Sequence, residues 1–301
     1  MRVTLMHNPG AGKGEHSRGW LESLLAEAGH VVRYQSTKDA SWRAALADPA
    51  DLVVVAGGDG TVAMVLVELA GRGTPAAIVP LGSANNIART LGVADADPAR
   101  LARAWGGADR RPVDIGAISS PWGEAAFVES FGGGIFADVL LRAEAHPADP
   151  DGEEKQQHGE DLLAAAIREA QAQRWTLDLD GDDVSGDFIA VEAMNIREIG
   201  PHLPLAGRAD PGDGLIDLVL VDAEHRDVVR SLLEMSEPER RSATALLPVR
   251  RGRRLEARFP AGCALHVDDD PWPPPASSHG GGEARLSLGD RRAEVLVPPP
   301  G

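Results

Sequence analysis

The residues best suited to chemistry lie in three glycine-bearing stretches and one acidic run. Gly57-Gly58-Asp59-Gly60-Thr61 is the sharpest. It follows the apolar run at residues 51–56 and precedes a helical pattern, so it sits at the carboxyl end of a strand, where α/β sheets bind ligands. Its glycines open the main chain to a phosphate. Thr61 can cap the helix and contact that phosphate, and Asp59 can orient a metal-bound water or a ribose hydroxyl. Asn8-Pro-Gly-Ala-Gly-Lys-Gly14 is a second loop between a strand and a helix. It lacks the Walker A spacing, and on its own it is as readily a glycine-rich turn. In Pro80-Leu-Gly-Ser-Ala-Asn-Asn-Ile-Ala-Arg89, Ser83 and Asn85 can reach a ligand and Arg89 a phosphate. Ser83 serves equally well as a helix cap, and Arg89 as a solvated side chain. Asp268, Asp269 and Asp270 are consecutive, and repulsion among them favours a proton on one, as a general base requires. Without further information they also read as a solvated acidic turn.

Positioning these loops calls for a parallel sheet. Residues 3–6, 31–34, 51–56 and 77–80 read as strands, and residues 17–28, 61–69 and 84–91 as helical. In the first helix Trp20, Leu21, Leu24 and Leu25 fall on one side. Strands alternating with helices at this spacing predict an α/β domain over residues 1–115. Residues from about 291 to 301 are expected to return to that domain. Residues 116–290 read differently. Short strand-like runs occur at 127–131, 175–179, 188–195, 215–221, 255–259, 264–267, 285–288 and 293–297, broken by Gly, Pro and Asp. That succession predicts a C-terminal β-sandwich, with one helix at 162–174. Residues 146–161 are acidic and carry two prolines, and residues 271–282 are of low complexity. Both are expected to be loops.

Composition removes several classes. The hydrophobic fraction of 43% is that of a globular chain. The net charge of −16 repels a phosphate backbone and the 4% of aromatics gives few stacking platforms, so no nucleic-acid partner is expected. Cys263 is the lone cysteine, which rules out an internal disulfide and suits a reducing compartment. No apolar run reaches the roughly 18 residues of a membrane-spanning helix, and no leader is read at the amino terminus. Residues 236–258 hold Arg240, Arg241, Arg250, Arg251, Arg253, Arg254 and Arg258. This is either a patch for anionic headgroups or a solvated hairpin paired with acidic neighbours.

Taken in order and spacing, the three loops resemble those of the diacylglycerol/sphingosine lipid kinase family, most closely its soluble bacterial diacylglycerol kinases. Val113-Asp-Ile-Gly116, Ser130-Phe-Gly-Gly-Gly134, Asp213-Gly-Leu-Ile-Asp217 and His266-Val-Asp-Asp-Asp270 extend the resemblance along the chain. It implies a nucleotide domain like that of NAD kinase, a β-sandwich lipid-substrate domain, and ATP- and Mg²⁺-dependent phosphorylation of a lipid hydroxyl such as that of diacylglycerol. By resemblance, Asn8, Gly12, Thr37, Gly58, Asp59, Gly60, Thr61 and Ser83 contact the nucleotide. Asp270 is the catalytic base and Asp268 its orienting neighbour. Asp210, Asp213 and the Leu215 carbonyl form a largely structural metal site, and Asp114 joins Asp59 in a carboxylate network near the phosphates. The implied setting is cytoplasmic, at the inner face of the membrane, and compatible with a homodimer. Departures are visible too. Ala63 and Met64 stand where the family has Asn-Glu, Asn86 where it has Asp, and Asp269 where it has Gly. These departures support an alternative, a non-catalytic nucleotide- or lipid-binding relative. An NAD-kinase-like small-molecule kinase is a further alternative, disfavoured by the Pro80–Arg89 loop and the late acidic run.

Overall fold

Residues 52–57 are apolar because the strand they form is buried at every position. It is the heart of the first of two units, Met1–Ile115 with Arg291–Gly301 and Gly116–Asp290. The computed structural model describes residues 1–14, 16–48, 50–145, 152–273 and 281–299. The first unit runs β1 (Arg2–His7), α1 (Arg18–Glu27), β2 (Val31–Ser36), β3 (Leu52–Gly57), α2 (Asp59–Leu69), β4 (Ala76–Pro80), α3 (Asn86–Thr90), α4 (Pro98–Ala104) and the start of β5 (Asp109–Ser120). Its strands pair in parallel in the order β2-β1-β3-β4. All the strand-to-helix loops therefore leave the sheet at one end. In α1 the Ser17 hydroxyl accepts the Trp20 N–H, and Leu21, Leu24 and Leu25 are buried. Trp20 is not with them. It is exposed and packs on the His16 ring, 4.6 Å away.

The second unit continues with β6 (Gly123–Phe127), β7 (Ser130–Gly134), α5 (Ile135–Ala145), α6 (Gly152–Glu169), β8 (Gln173–Leu179), β9 (Asp182–Asp183), β10 (Gly186–Phe188), β11 (Ala190–Met194), β12 (Ile216–Val221), α7 (Arg226–Leu232), α8 (Glu237–Ala243), β13 (Val249–Gly252), β14 (Arg254–Phe259), β15 (Leu265–Val267), β16 (Asp270–Trp272) and β17 (Gly282–Val297). One sheet here contains β8, β14 and the first part of β17. The other runs β13-β12-β11-β7-β15-β16. Trp175, Leu177, Leu255 and Leu286 from the first meet Phe131, Val191, Leu218 and Leu265 from the second in a shared core. This is the expected sandwich. Val139, Leu163, Ile167 and Val229 from α5, α6 and α7 cover the opposite face of the second sheet with an apolar layer.

Several elements differ from the sequence reading. Residues 127–131 are not one strand. β6 ends at Phe127 and β7 begins at Ser130, and the Val128, Glu129 and Ser130 N–H groups turn to a carboxylate, that of Asp268. The loop expected at residues 146–161 is helical from Gly152 onward, its earlier part lying outside the described residues. The acidic side chains suggested solvent, but Leu163, Ala166 and Ile167 give the helix a buried stripe. The helix also ends at Glu169, and Gln173 already belongs to β8. The loop expected at 271–282 falls mostly outside the described residues. The runs at 285–288 and 293–297 are one strand, β17, which leads from the second unit back to the first. There Val295 pairs in parallel with Ala76.

Gly116 lies opposite Phe127 in the β5–β6 pair. A Cβ at Gly116 would fall 2.1 Å from the fully buried Phe127 ring. Gly116→Ala is therefore expected to destabilise the protein by about 1–3 kcal/mol through overpacking, read by denaturant unfolding.

Candidate functional site

Three loops of the first unit converge at the carboxyl ends of β1, β3 and β4. Asn8 ties the first loop together, since its Oδ1 accepts the Gly10 N–H at 3.1 Å. Its Nδ2 donates to Thr61 Oγ1 at 3.1 Å, linking loop one to loop two. Gly12 has φ of +59°, and a Cβ there would lie 3.0 Å from the Leu81 carbonyl oxygen of loop three. Loops two and three meet most tightly. A Cβ on Gly82 would fall 2.5 Å from the Gly58 Cα, with main chain on both sides. Loop three is held in shape by Asn85, whose Oδ1 accepts the Gly82 N–H and whose Nδ2 donates to the Gly82 carbonyl, each at 2.8 Å. Asn85 adopts a left-handed conformation to do so, with φ of 54°.

Asp59 is buried, and both its oxygens accept main-chain N–H groups, from Asn86 and Ile87, at 2.9 Å. It thereby fixes the first turn of α3 from the first turn of α2. Thr61 is buried against Asn8, while Gly60 and Ser83 are exposed. Nothing lies within 4 Å of a Cβ built on Gly60, so this glycine borders open space. Thr37 packs behind loop one through its N–H to the His7 carbonyl, at 2.8 Å. Asp114 is fully buried and 2.6 Å from the Arg292 guanidinium. In all, Asn8, Gly12, Gly58, Asp59 and Thr61 of the expected nucleotide residues are bound into one assembly of loops.

The expected catalytic residues belong to the second unit, on the turn from β15 to β16. Val267 pairs with Asp270, and Asp268 and Asp269 make the turn. Asp268 has φ of 49°. Its N–H donates to the Ser130 carbonyl at 2.8 Å, and its Oδ1 accepts from Val128, Glu129 and Ser130 at 3.1, 2.8 and 3.1 Å. Burial pushes this carboxyl up to about 7, while the three amide donors favour its anion. Asp268 thus works as an anchor for the turn. Asp270 stands next to it, exposed.

The residues expected to hold a metal have other partners. Asp210 Oδ1 accepts the Gly212 N–H at 3.1 Å, and Asp213 accepts the Leu215 N–H at 3.0 Å. Asp213 also pairs closely with the Arg251 guanidinium, which reaches Asp217 at 3.2 Å. Among the described residues no three His, Cys, Asp or Glu side chains group as a metal site. Arg251 occupies the side of Asp213 and Asp217 where an ion would compete with it, and its single positive charge offsets one of the two carboxylates. Burial pushes the Asp217 carboxyl up to about 6, against the pull of Arg251.

The arginine-rich segment is partly engaged inside the protein. Arg240 donates to main-chain carbonyls, Arg251 pairs as above, and Arg258 faces Glu283. The Arg253 and Arg254 N–H groups are held by Asp180. Among the described residues no helix is long and apolar enough to cross a membrane.

Sequence reasoning missed the buried pair of Glu192 and His266, whose side chains meet at 2.9 Å. A lone acid inside the apolar run of β11 and the glycine at 132 were the available signals. It also missed Arg251 as a partner of Asp213, because their separation in sequence hides the contact.

Residues 2–118 match the diacylglycerol kinase catalytic domain family. A diacylglycerol kinase of Mycobacterium tuberculosis is 27% identical over 240 residues, covering 75% of this chain and 74% of that protein. The crystal structure of a diacylglycerol kinase from Bacillus anthracis superposes with a TM-score of 0.69 at 20% identity, over 99% of this chain and 97% of that one. A yeast NADH kinase structure shares the fold more distantly, with a TM-score of 0.52 at 10% identity, over 99% of this chain and 83% of that one. The fold is that of the diacylglycerol kinase and NAD kinase group.

Two predictions follow from the Arg251 cluster. Adding Mg²⁺ or removing it with EDTA should leave the thermal unfolding midpoint of the ligand-free protein unchanged; a rise with Mg²⁺ would show a resident ion. The raised Asp217 value means that its contribution is present below pH 4 and lost as pH rises through about 6. Asp217→Asn should therefore stabilise the protein at pH 8 by on the order of 1–3 kcal/mol and have little effect at pH 4, read by denaturant unfolding at both values.

Proposed function

We propose that this chain, whose residues 2–118 match the diacylglycerol kinase catalytic domain family, transfers the γ-phosphoryl group of Mg-ATP to the hydroxyl of a lipid such as diacylglycerol. The observation that carries this reading is the assembly of three loops around the Gly58–Gly82 contact, with Gly60 bordering open space at the start of α2. Main-chain N–H groups and the positive end of a helix suit an anionic triphosphate. In this reading the first unit is the nucleotide domain and the second the lipid-substrate domain. Asn8, Gly12, Gly58, Gly60, Thr61, Thr37 and Ser83 line the nucleotide, and Asp59 acts behind them by holding α3 in place.

The chemistry asked of the side chains is modest. Phosphoryl transfer needs alignment, charge neutralisation and a base at the attacking hydroxyl. Asp270 is that base, and its exposure leaves its carboxylate available to a substrate. The lipid oxygen forms a bond to the γ-phosphorus as the bond to the β–γ bridging oxygen breaks. The hydroxyl proton passes to Asp270 and then to water, and ADP leaves. Mg²⁺ arrives with the nucleotide as part of the substrate. No step is assigned to Asp210, Asp213 or Leu215; Asp213 is paired with Arg251. The acceptor comes from a bilayer, which places the enzyme at the inner face of the cytoplasmic membrane; Arg250 and Arg254 are exposed basic side chains suited to anionic headgroups.

One observation favours a second reading. Ala63 and Asn86, both buried, have no carboxylate to offer on the nucleotide side. A relative that binds nucleotide without transferring phosphate would retain the loops and lack turnover.

Transfer of radiolabelled phosphate from ATP to lipids in mixed micelles separates the two. Wild type should phosphorylate a lipid acceptor. Asp270→Asn should lose about 100-fold or more of kcat with ATP binding intact. Wild type that binds ATP and phosphorylates no lipid would support the second reading, and near-normal turnover by Asp270→Asn would remove Asp270 as the base.

A further inference from the structure

Glu192, Gly132 and His266 lie side by side on three neighbouring strands, β11, β7 and β15. A Cβ on Gly132 would fall 2.0 Å from Glu192 Oε2. The glycine therefore lets the Glu192 side chain cross the middle strand, where it meets His266 Nε2 at 2.9 Å. His266 Nδ1 lies 2.8 Å from the main-chain oxygen of Asp268. A carbonyl only accepts, so Nδ1 carries a proton and donates it. One further proton, between Nε2 and the Glu192 carboxyl, completes the chain of contacts. Both side chains are fully buried, at 1% and 0% exposure.

Stability does not explain this pair. A buried ion pair is commonly matched or exceeded in stability by an apolar pair of the same volume. The near neighbours of Glu192 on this face of the sheet are apolar, Ala190 and Met194 on β11 and Val219 on β12. What the pair does locally is grip one peptide group. Asp268 sits in a left-handed conformation, and its N–H, its carboxylate and its carbonyl are all held, the first two by residues 128–130 and the last by His266. Asp270 follows two residues later, across the turn from Val267.

We propose that Glu192 and His266 are positioning residues for phosphoryl transfer: together they fix the main chain at Asp268 and so set where Asp270 presents its carboxylate. This rests on the reading of Asp270 as the base. Neither residue touches substrate. Gly132 is part of the same device, because any side chain there displaces Glu192.

The test compares three proteins with wild type. The double variant Glu192→Met/His266→Leu keeps the volume and removes both the charges and the grip on Asp268. His266→Gln keeps a side-chain N–H for the Asp268 carbonyl. Asp270→Asn reports on the base itself. Lipid phosphorylation is measured alongside amide exchange at Val128, Glu129 and Ser130. The double variant should keep its unfolding midpoint and its KM for ATP, lose about 30-fold or more of kcat, and exchange those amides about tenfold faster. His266→Gln should recover kcat to within about fivefold of wild type. The proposal is overturned if Asp270→Asn is inactive while the double variant turns over like wild type. It is equally overturned if the double variant does not fold, since the pair then serves stability, or if His266→Gln is as slow as the double variant. Should Asp270→Asn remain active, the base assignment fails by itself. The exchange rates then decide alone: faster exchange in the double variant upholds the fixing of the turn, and unchanged exchange ends it.

Discussion

Gly58 and Gly82 bring two main-chain segments together with no space for a side chain on Gly82, and the first unit is arranged around that contact. The segments come from loops that follow adjacent parallel strands, so their approach is set by the sheet. Close approach leaves the loop amides to be held by other means. Asn85 closes a ring with Gly82, Asp59 anchors the start of α3, and Asn8 reaches Thr61. Each of these polar side chains is turned toward protein main chain or a neighbouring side chain. The surface they leave is main chain and small residues, with Gly60 at its edge. Such a surface lets a ligand approach the main chain closely, and the loops that form it are already fixed before binding.

The second unit uses the same economy of side chains at a different place. Three consecutive N–H groups would be costly if left without partners where β6 passes into β7. Asp268 satisfies all of them from the far end of the sequence, and in doing so anchors the turn that carries Asp270. Glycines at 132 and 116 make room for Glu192 and Phe127 respectively. Elsewhere in this unit Asp213 and Asp217 share one arginine, Arg251.

The loops were legible in the sequence because their glycines occur at fixed offsets after apolar runs, which is a local property. The buried strand ending at Gly57 and its helix were read for the same reason. The partners of the acidic residues were not legible. Asp59 meets amides at 86 and 87, and Asp268 meets amides at 128–130, contacts that only the folded chain creates. The segment from 127 to 131 looked like one apolar strand because nothing nearby in sequence supplies the carboxylate that bends it. The first half of the helix from Gly152 looked like a loop because acids dominate its composition, while the apolar residues that pack the helix, Leu163, Ala166 and Ile167, all lie in the half that read as helical. Arg251 reads as surface charge until Asp213 and Asp217 are placed beside it.

The most direct measurement is calorimetric titration of Mg-ATP into wild type and into Gly82→Ala, with circular dichroism confirming that both are folded. If the Gly58–Gly82 contact shapes the phosphate site, wild type binds saturably and Gly82→Ala remains folded while its affinity falls about tenfold or more, the loss of one or two well-aimed hydrogen bonds. Binding by folded Gly82→Ala that matches wild type would contradict the account.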